Sequence, residues 1–311
     1  MNILLTGSSG LIGTALTLRL AADGHRVTRL VRSPGPAGQT TEEAPSDVAW
    51  DPDRGTVDRD GLEQAGPFDG VVHLAGAGIG DQRWSPARKQ VILDSRTSST
   101  RLLVETLLGL SAPPPTVVSA SAVGYYGDRG DAELTEQSSN GTGFLAEVCQ
   151  AWESAARPAT DAGVRTVLLR TGIVLNAHGG ALGRQLPLFR LGLGGRMGSG
   201  TQYRSWITLE DEVSIILHCL EDSGLSGPVN ATAPFPVTDA EFAKALGTAL
   251  HRPTMLAVPS AVLRLALGSE MARELVLSGQ KVLPAALLAR GFTFAHADLA
   301  DAVRSVLTTT A

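Results

Sequence analysis

A chain of 311 residues suffices for one large domain or one and a half, and 43% hydrophobic with 18% charged residues is an ordinary globular balance with ample core material. The formal net charge of −5 argues against a nucleic-acid or membrane-surface partner, since either needs a basic face. Cys149 and Cys219, both in helix-like apolar contexts, read as buried thiols of a reducing compartment. With no leader ahead of the first strand and no apolar run near a membrane span, the chain is expected to be cytoplasmic.

The opening stretch reads Asn2-Ile-Leu-Leu-Thr-Gly-Ser-Ser-Gly-Leu-Ile-Gly13. Ile3 to Leu5 make a short strand-type run, and Gly7, Gly10 and Gly13 follow at spacings of three. An apolar-periodic segment through Leu16, Leu18 and Leu20 then runs to a stop at Asp23-Gly24. This predicts a strand, a glycine turn and a helix. Glycines there allow a tight turn, close approach of a pyrophosphate to the amides, and close helix–strand packing. The helix N-terminus adds free N–H groups and a partial positive charge. A dinucleotide is therefore expected on Thr6, Gly7, Ser9, Gly10, Leu11, Ile12 and Gly13.

His25 to Arg32 is the second predicted strand. An NAD-type fingerprint ends this strand on an acid that holds the ribose 2′-hydroxyl. Here Arg32 and Ser33 stand in that place and no Asp or Glu lies nearby. A guanidinium offers a planar fork of donors to phosphate oxygens, so NADP is favoured over NAD. Residues 33 to 47 read as a loop and Val48 to Trp50 as a short third strand. The fourth is Asp69 to Gly76, where Leu74, Ala75, Gly76 and Ala77 let a flat cofactor pass close over the backbone; His73 is a core histidine. Ser85 and Pro86 fit the cap and first position of a helix through Val91, Ile92, Arg96 and Leu107. Thr116 to Ser121 is the fifth strand, a helix follows from the Phe144 region, and Arg165 to Leu175 is the sixth strand. Alternating strands and helices at this spacing imply an α/β fold, a Rossmann-type doubly wound parallel sheet.

Beyond residue 175 glycines crowd a segment that also holds Arg184, Arg190, Arg196 and Arg204. Thr208 fits a helix cap. Helical units are predicted at Asp239 to Leu250, Ser260 to Leu267 and Ala297 to Leu307. The expected organisation is a Rossmann domain over 1–175, re-entered around 205–232, and a smaller, mostly helical substrate lobe over 176–311. A substrate cleft would lie between lobe and sheet.

The order of motifs resembles a short-chain dehydrogenase/reductase of the extended or atypical kind. The matching residues are Thr6-Gly7-Ser-Ser-Gly10-Leu-Ile-Gly13, His73-Leu-Ala-Gly76, Ser119-Ala-Ser121 with Tyr126-Gly127, and Arg204-Ser-Trp-Ile207. More closely, the chain resembles epimerase-family proteins with a small C-terminal domain of unknown function. That likeness rests on Trp84 with Asp94-Ser-Arg96, Ser121-Ala-Val-Gly-Tyr-Tyr-Gly127, Phe144-Leu-Ala with Trp152-Glu153, Gly192-Leu-Gly-Gly195, Pro234-Phe-Pro-Val237 and Gly291-Phe-Thr-Phe294. It implies a nucleotide-sugar-epimerase-like architecture with NADP bound, and a homodimer through the helices at 86–109 and 144–160.

One departure matters more. The superfamily's Tyr-x-x-x-Lys is absent: four residues beyond Tyr125, Tyr126 and Tyr203 stand Arg129, Gly130 and Ile207. An unassisted phenol, with a pKa of about 10, is a poor proton carrier at neutral pH. Ser121 stands where the resemblance puts a substrate-polarising hydroxyl, with Ser119 as the alternative, and Tyr125 or Tyr126 offers a phenol from the following loop. Arg96 takes the place of the superfamily's Asn and would bridge substrate or cofactor. Arg204 and Trp206 resemble a phosphate or sugar clamp, suited to an anionic or nucleotide-linked substrate. Lys89 reads as a surface lysine, Glu153 as a helix anchor and His178 as a loop residue. Two readings result: an NADP-dependent oxidoreductase or epimerase, and an NADP(H)-sensing regulatory protein without turnover.

Overall fold

The computed structural model describes residues 1–33 and 46–308; most of the loop expected over 33–47 lies outside them. β1 (Asn2–Thr6) is buried throughout, with Ile3 and Leu5 facing one side of the sheet and Leu4 the other. A strand buried on both faces needs apolar residues at every position, which this run supplies. α1 (Leu11–Ala22) follows the glycine turn and leads to β2 (Arg26–Val31) and β3 (Ser46–Asp51). β4 (Thr56–Val57) closes that edge as a hairpin, and α2 (Arg59–Ala65) returns the chain to β5 (Gly70–His73). α3 (Pro86–Leu108) starts as expected, the Ser85 side chain accepting the Arg88 N–H with Pro86 in the first turn.

β6 (Thr116–Ala122), a 3₁₀ turn at Val123–Tyr126, the short β7 (Glu133–Leu134), α4 (Phe144–Asp161) and β8 (Arg165–Thr171) come next. The sheet has eight strands in the order β12-β8-β6-β5-β1-β2-β3-β4, where β12 is Gly227–Ala231; all but the β3–β4 pair are parallel. Strand order reverses at β1, with β2 on one side and β5 on the other. A crevice opens outside the carboxyl ends at such a point. Leu16 and Leu20 of α1 pack on one face, and Leu62 of α2 with Leu103 and Leu107 of α3 on the other. α3 and α4, expected to form a dimer face, pack on each other within the chain.

The sixth predicted strand is not continuous. It breaks at Gly172, where a Cβ would stand 2.6 Å from the Ser205 carbonyl oxygen. β9 (Ile173–Leu175) turns away from the main sheet and pairs instead with β11 (Trp206–Thr208), which follows β10 (Tyr203–Arg204). Between them runs α5 (Gly180–Arg190). α6 (Leu209–Glu221), capped by Thr208, packs on α1, and β12 pairs with β8 at the edge of the main sheet.

The rest is mostly helical: β13 (Val237–Thr238), α7 (Asp239–Leu250), α8 (Ser260–Leu267), α9 (Ser269–Ala272), a π-helical turn at Arg273–Leu277, β14 (Lys281–Val282), α10 (Ala285–Ala289) and α11 (Leu299–Thr308). Lys89, expected on the surface, instead bonds Glu270 at 2.8 Å and lies over the Phe144 ring, so it ties α3 to this region. Among the described residues no helix is long and apolar enough to cross a membrane.

Candidate functional site

The crevice beside β1 is a groove of about 860 Å³. Its floor is the glycine turn. Gly7 has φ +72°, and a Cβ there would stand 2.7 Å from the Leu74 carbonyl carbon. A Cβ on Gly13 would stand 2.2 Å from the Gly7 oxygen, so only glycine lets α1 start this close to the turn. Gly10 is the N-cap of α1. No side chain caps it and no acid lies in the first turn, so an anion's oxygens are the natural partners of those amides.

Of the expected cofactor residues, Gly7, Ser9, Gly10, Arg32, Leu74, Ala75, Gly76 and Ala77 line the groove. Leu11, Ile12 and Gly13 form the first turn of α1 instead. Thr6 is buried: its Oγ1 bonds His73 Nδ1 at 2.7 Å and accepts the Leu74 N–H, locking the ends of β1 and β5 together. His73 is also bonded to Thr100, and burial pushes its pKa down to about 4, so it is a neutral core residue. Ser33 is exposed next to Arg32. Ser119 pairs with His73 in the sheet; its Oγ is buried with no partner among the described residues.

Arg32 is exposed at the groove, and Asp53 stands 3.4 Å from its guanidinium. An acid therefore does lie nearby, brought there by the β3–β4 turn. Trp50 and Pro52 of the same segment complete this end of the wall.

A second cavity, about 180 Å³, adjoins the groove. Arg96 marks the junction: it lines the cavity, and its Nη1 donates to the carbonyls of Ala77 (2.9 Å) and Ile92 (3.0 Å). Burial lowers its pKa, and its guanidinium lies over the Trp152 ring. One wall is the α4 face of Leu145, Val148, Cys149 and Trp152. This is the helix where the superfamily's Tyr and Lys would stand, and here it is apolar. Burial pushes the Cys149 thiol up to about 12, which keeps it neutral. Glu274 closes one end, its carboxylate accepting the Phe144 and Leu145 N–H groups at 3.0 and 2.8 Å.

Three expected catalytic groups face elsewhere. Ser121 donates to Glu153 Oε1 at 2.7 Å, and Glu153 holds Arg170 through both carboxylate oxygens. Tyr126 is fully buried, donating to Asn230 and accepting from Arg170; burial above all raises its phenol pKa. Tyr125 lies with its ring 3.5 Å from the Arg170 guanidinium carbon. Ala122, Val123 and Gly124, not these three, reach the cavity wall, because the 3₁₀ turn rolls the tyrosines inward over Arg170.

The expected clamp is also turned inward. Trp206 is wholly buried and donates to the Phe235 carbonyl at 3.1 Å. Arg204 reaches the cavity wall, but its guanidinium is paired with the buried Asp239.

The sequence reading did not single out Asp53, Trp152 as a wall residue, Gln202 or Glu274. The spacing Leu145, Val148, Cys149, Trp152 is a helix-face period that marks the α4 wall. Gln202 and Glu274 carry no local signal.

A glycine turn at the switch point of a parallel sheet, with an adjoining cavity, defines a dinucleotide-binding fold of the short-chain dehydrogenase type. Residues 3–231 match the model of the NAD-dependent epimerase/dehydratase family, and residues 258–306 match a domain of unknown function, DUF1731. The chain belongs to the NAD-dependent epimerase/dehydratase family. It is 47% identical over 301 residues to an epimerase family protein of Mycobacterium bovis, covering 97% of this chain and 96% of that one. It is 37% identical over 310 residues to the human epimerase family protein SDR39U1, covering 99% and 100%. The crystal structure of human SDR39U1 with NADPH superposes with a TM-score of 0.88 at 36% identity, covering 99% of each chain. A nucleoside-diphosphate sugar epimerase from Corynebacterium glutamicum gives 0.77 at 37% identity, covering 99% of this chain and 58% of that one. UDP-glucose 4-epimerase from Thermus thermophilus in complex with NAD, at 19% identity and 0.74, shares the fold.

Proposed function

We propose that this chain binds NADP in the groove and acts as an oxidoreductase or epimerase on a small molecule held in the adjoining cavity. The observation that carries the reading is the glycine cradle, whose amides face a groove with Arg32 at its end. Gly7, Ser9 and Gly10 hold the pyrophosphate, Arg32 and Ser33 the 2′-phosphate, and the backbone of Leu74 to Ala77 the flat dinucleotide. The human relative crystallised with NADPH supports the cofactor choice. When bound, the nicotinamide supplies or takes a hydride.

The chain's own task is to position the substrate and move a proton at its oxygen. Ser121, Tyr125 and Tyr126 are tied to the Glu153–Arg170 cluster, so the wall group we assign to this task is Thr171. Its hydroxyl donates to Glu212 at 2.7 Å. Burial pushes the Glu212 carboxyl up to about 8, leaving it protonated at neutral pH with an acid proton behind the threonine. Reversal of that hydrogen bond turns the Thr171 proton toward a substrate oxygen.

The apolar face of α4 favours a second reading, an NADP(H) sensor without turnover. Loss of NADPH absorbance over a panel of carbonyl compounds and sugar nucleotides separates the two. Turnover that falls at least tenfold in Thr171→Val supports the enzyme. NADPH binding without turnover across the panel supports the sensor.

A further inference from the structure

Seven of the eleven large apolar side chains exposed among the described residues fall in two short stretches, 188–193 and 255–265. The fold brings these stretches together. Gly195 bridges to Met255 and Met197 to Val258, and the Val258 N–H donates to the Arg196 carbonyl at 2.9 Å. A Cβ on Gly195 would collide with the Leu256 carbonyl oxygen, so only glycine lets the two run this close. The ribbon they form presents Leu191, Leu193 and Leu256 to solvent, with Met255 93% exposed. α8 begins at Ser260, just beyond it. Six of the eight residues of α8 are apolar, yet none is buried. Leu263 and Leu267 are half-buried, while Val262 and Leu265, the latter 79% exposed, stand out to solvent. A helix that faces water is ordinarily polar on its outer side, and clustered exposed apolar residues mark an interaction surface.

The same face is cationic. No Asp or Glu occurs in residues 162–209 or 242–269, although the whole chain carries a net charge of −5. Arg190, Arg196, Arg252 and Arg264 are exposed, and none of them is in an ion pair among the described residues. Arg196 and Arg252 donate to main-chain carbonyls. Glu241 and Glu270, which bracket the second acid-free segment, are engaged elsewhere, one in the α7 capping box and the other on Lys89.

We propose that this face docks on the surface of an anionic lipid bilayer. The apolar tips enter the interface, and the four arginines meet lipid phosphates. The net charge that argues against such a partner hides a local surface of the opposite sign. A second copy suits this face poorly, because a twofold contact sets like cations against one another with no acid to pair them. A folded protein partner needs a surface of matching shape, and these tips protrude singly from α5, the ribbon and α8 rather than line a groove. A fluid bilayer accommodates them without a matching shape.

The test sediments the full chain with vesicles of phosphatidylcholine alone and of phosphatidylcholine with about one-third phosphatidylglycerol. Binding to the anionic vesicles is expected to be at least about tenfold tighter, and to weaken in about 0.5 M salt. Arg252→Gln with Arg264→Gln should lower it about 25-fold, about fivefold for each lost cation. Met255→Glu with Leu265→Glu should lower it at least about tenfold with Tm unchanged, since both side chains stand in solvent. Equal binding to the two kinds of vesicle, or undiminished binding in either double variant, overturns the proposal. So does a dimer in solution that Met255→Glu with Leu265→Glu disperses, which gives the face to a second copy.

Discussion

At the mouth of the groove the Arg32 guanidinium has, among the described residues, Asp53 as its neighbour of opposite charge, and both are largely exposed. An exposed pair of this kind contributes little to stability, so Arg32 remains available to a ligand phosphate. Arg32→Ala is expected to weaken NADPH about 10- to 100-fold, the loss of a charge-assisted contact, while NADH changes less than about twofold. Equal loss for both would contradict the assignment. Glu212 gives a second residue-scale expectation. Its folded pKa of about 8 lies above the ordinary glutamate value of 4.5, so the folded chain holds the extra proton between those values and loses stability as pH rises through them. A Tm profile over this window should therefore slope less steeply downward, or more steeply upward, with rising pH in Glu212→Gln than in the parent. Superimposable profiles would show that Glu212 ionises normally. His73, with its folded pKa lowered, acts the other way: its contribution is lost as pH falls from about 6.5 to about 4.

Elements were legible where their signals were local. The glycine spacing, the Ser85-Pro86 cap and the apolar runs of β1, β5 and β6 could be read because neighbours in sequence decide them. Gly172 could not, because the carbonyl that forbids a side chain there comes from Ser205, far along the chain. The inward turn of Arg204 and Trp206 was hidden for a related reason. An Arg-rich, Gly-rich segment says nothing about which way a side chain turns, and Asp239, which takes Arg204, is 35 residues away. Ser121 and Tyr126 sit at the right strand end but turn to the buried pair of Arg170 on β8 and Glu153 on α4. Burial works against the Arg170 charge, yet the Glu153 bonds outweigh it and raise its pKa. Removing one partner of such a pair costs about 3–5 kcal/mol. Glu153→Gln should therefore lower stability by about that amount in denaturant unfolding, while Glu153→Gln with Arg170→Met loses less than the sum of the single changes. Additive losses would mean the pair is not coupled.

Across the whole molecule, the Rossmann sheet supplies a cradle for an anion, and the chain beyond β8 supplies much of the wall of the adjoining cavity. Glu274 and Lys89 fasten the two regions together, one capping α4 and the other bridging α3 to α9. The doubly wound parallel sheet and the dinucleotide groove were readable from the sequence. The character of the cavity was not, because its walls come from α4, the β8–β9 break, the β10 region and the π-helical turn. The account stands on the groove accepting a phosphorylated nicotinamide dinucleotide. Calorimetric titration of the full chain with NADPH and NADH tests this directly. We expect one site per chain and NADPH at least tenfold tighter than NADH. Indifference to both dinucleotides would contradict the account, and a preference for NADH would remove the role given to Arg32.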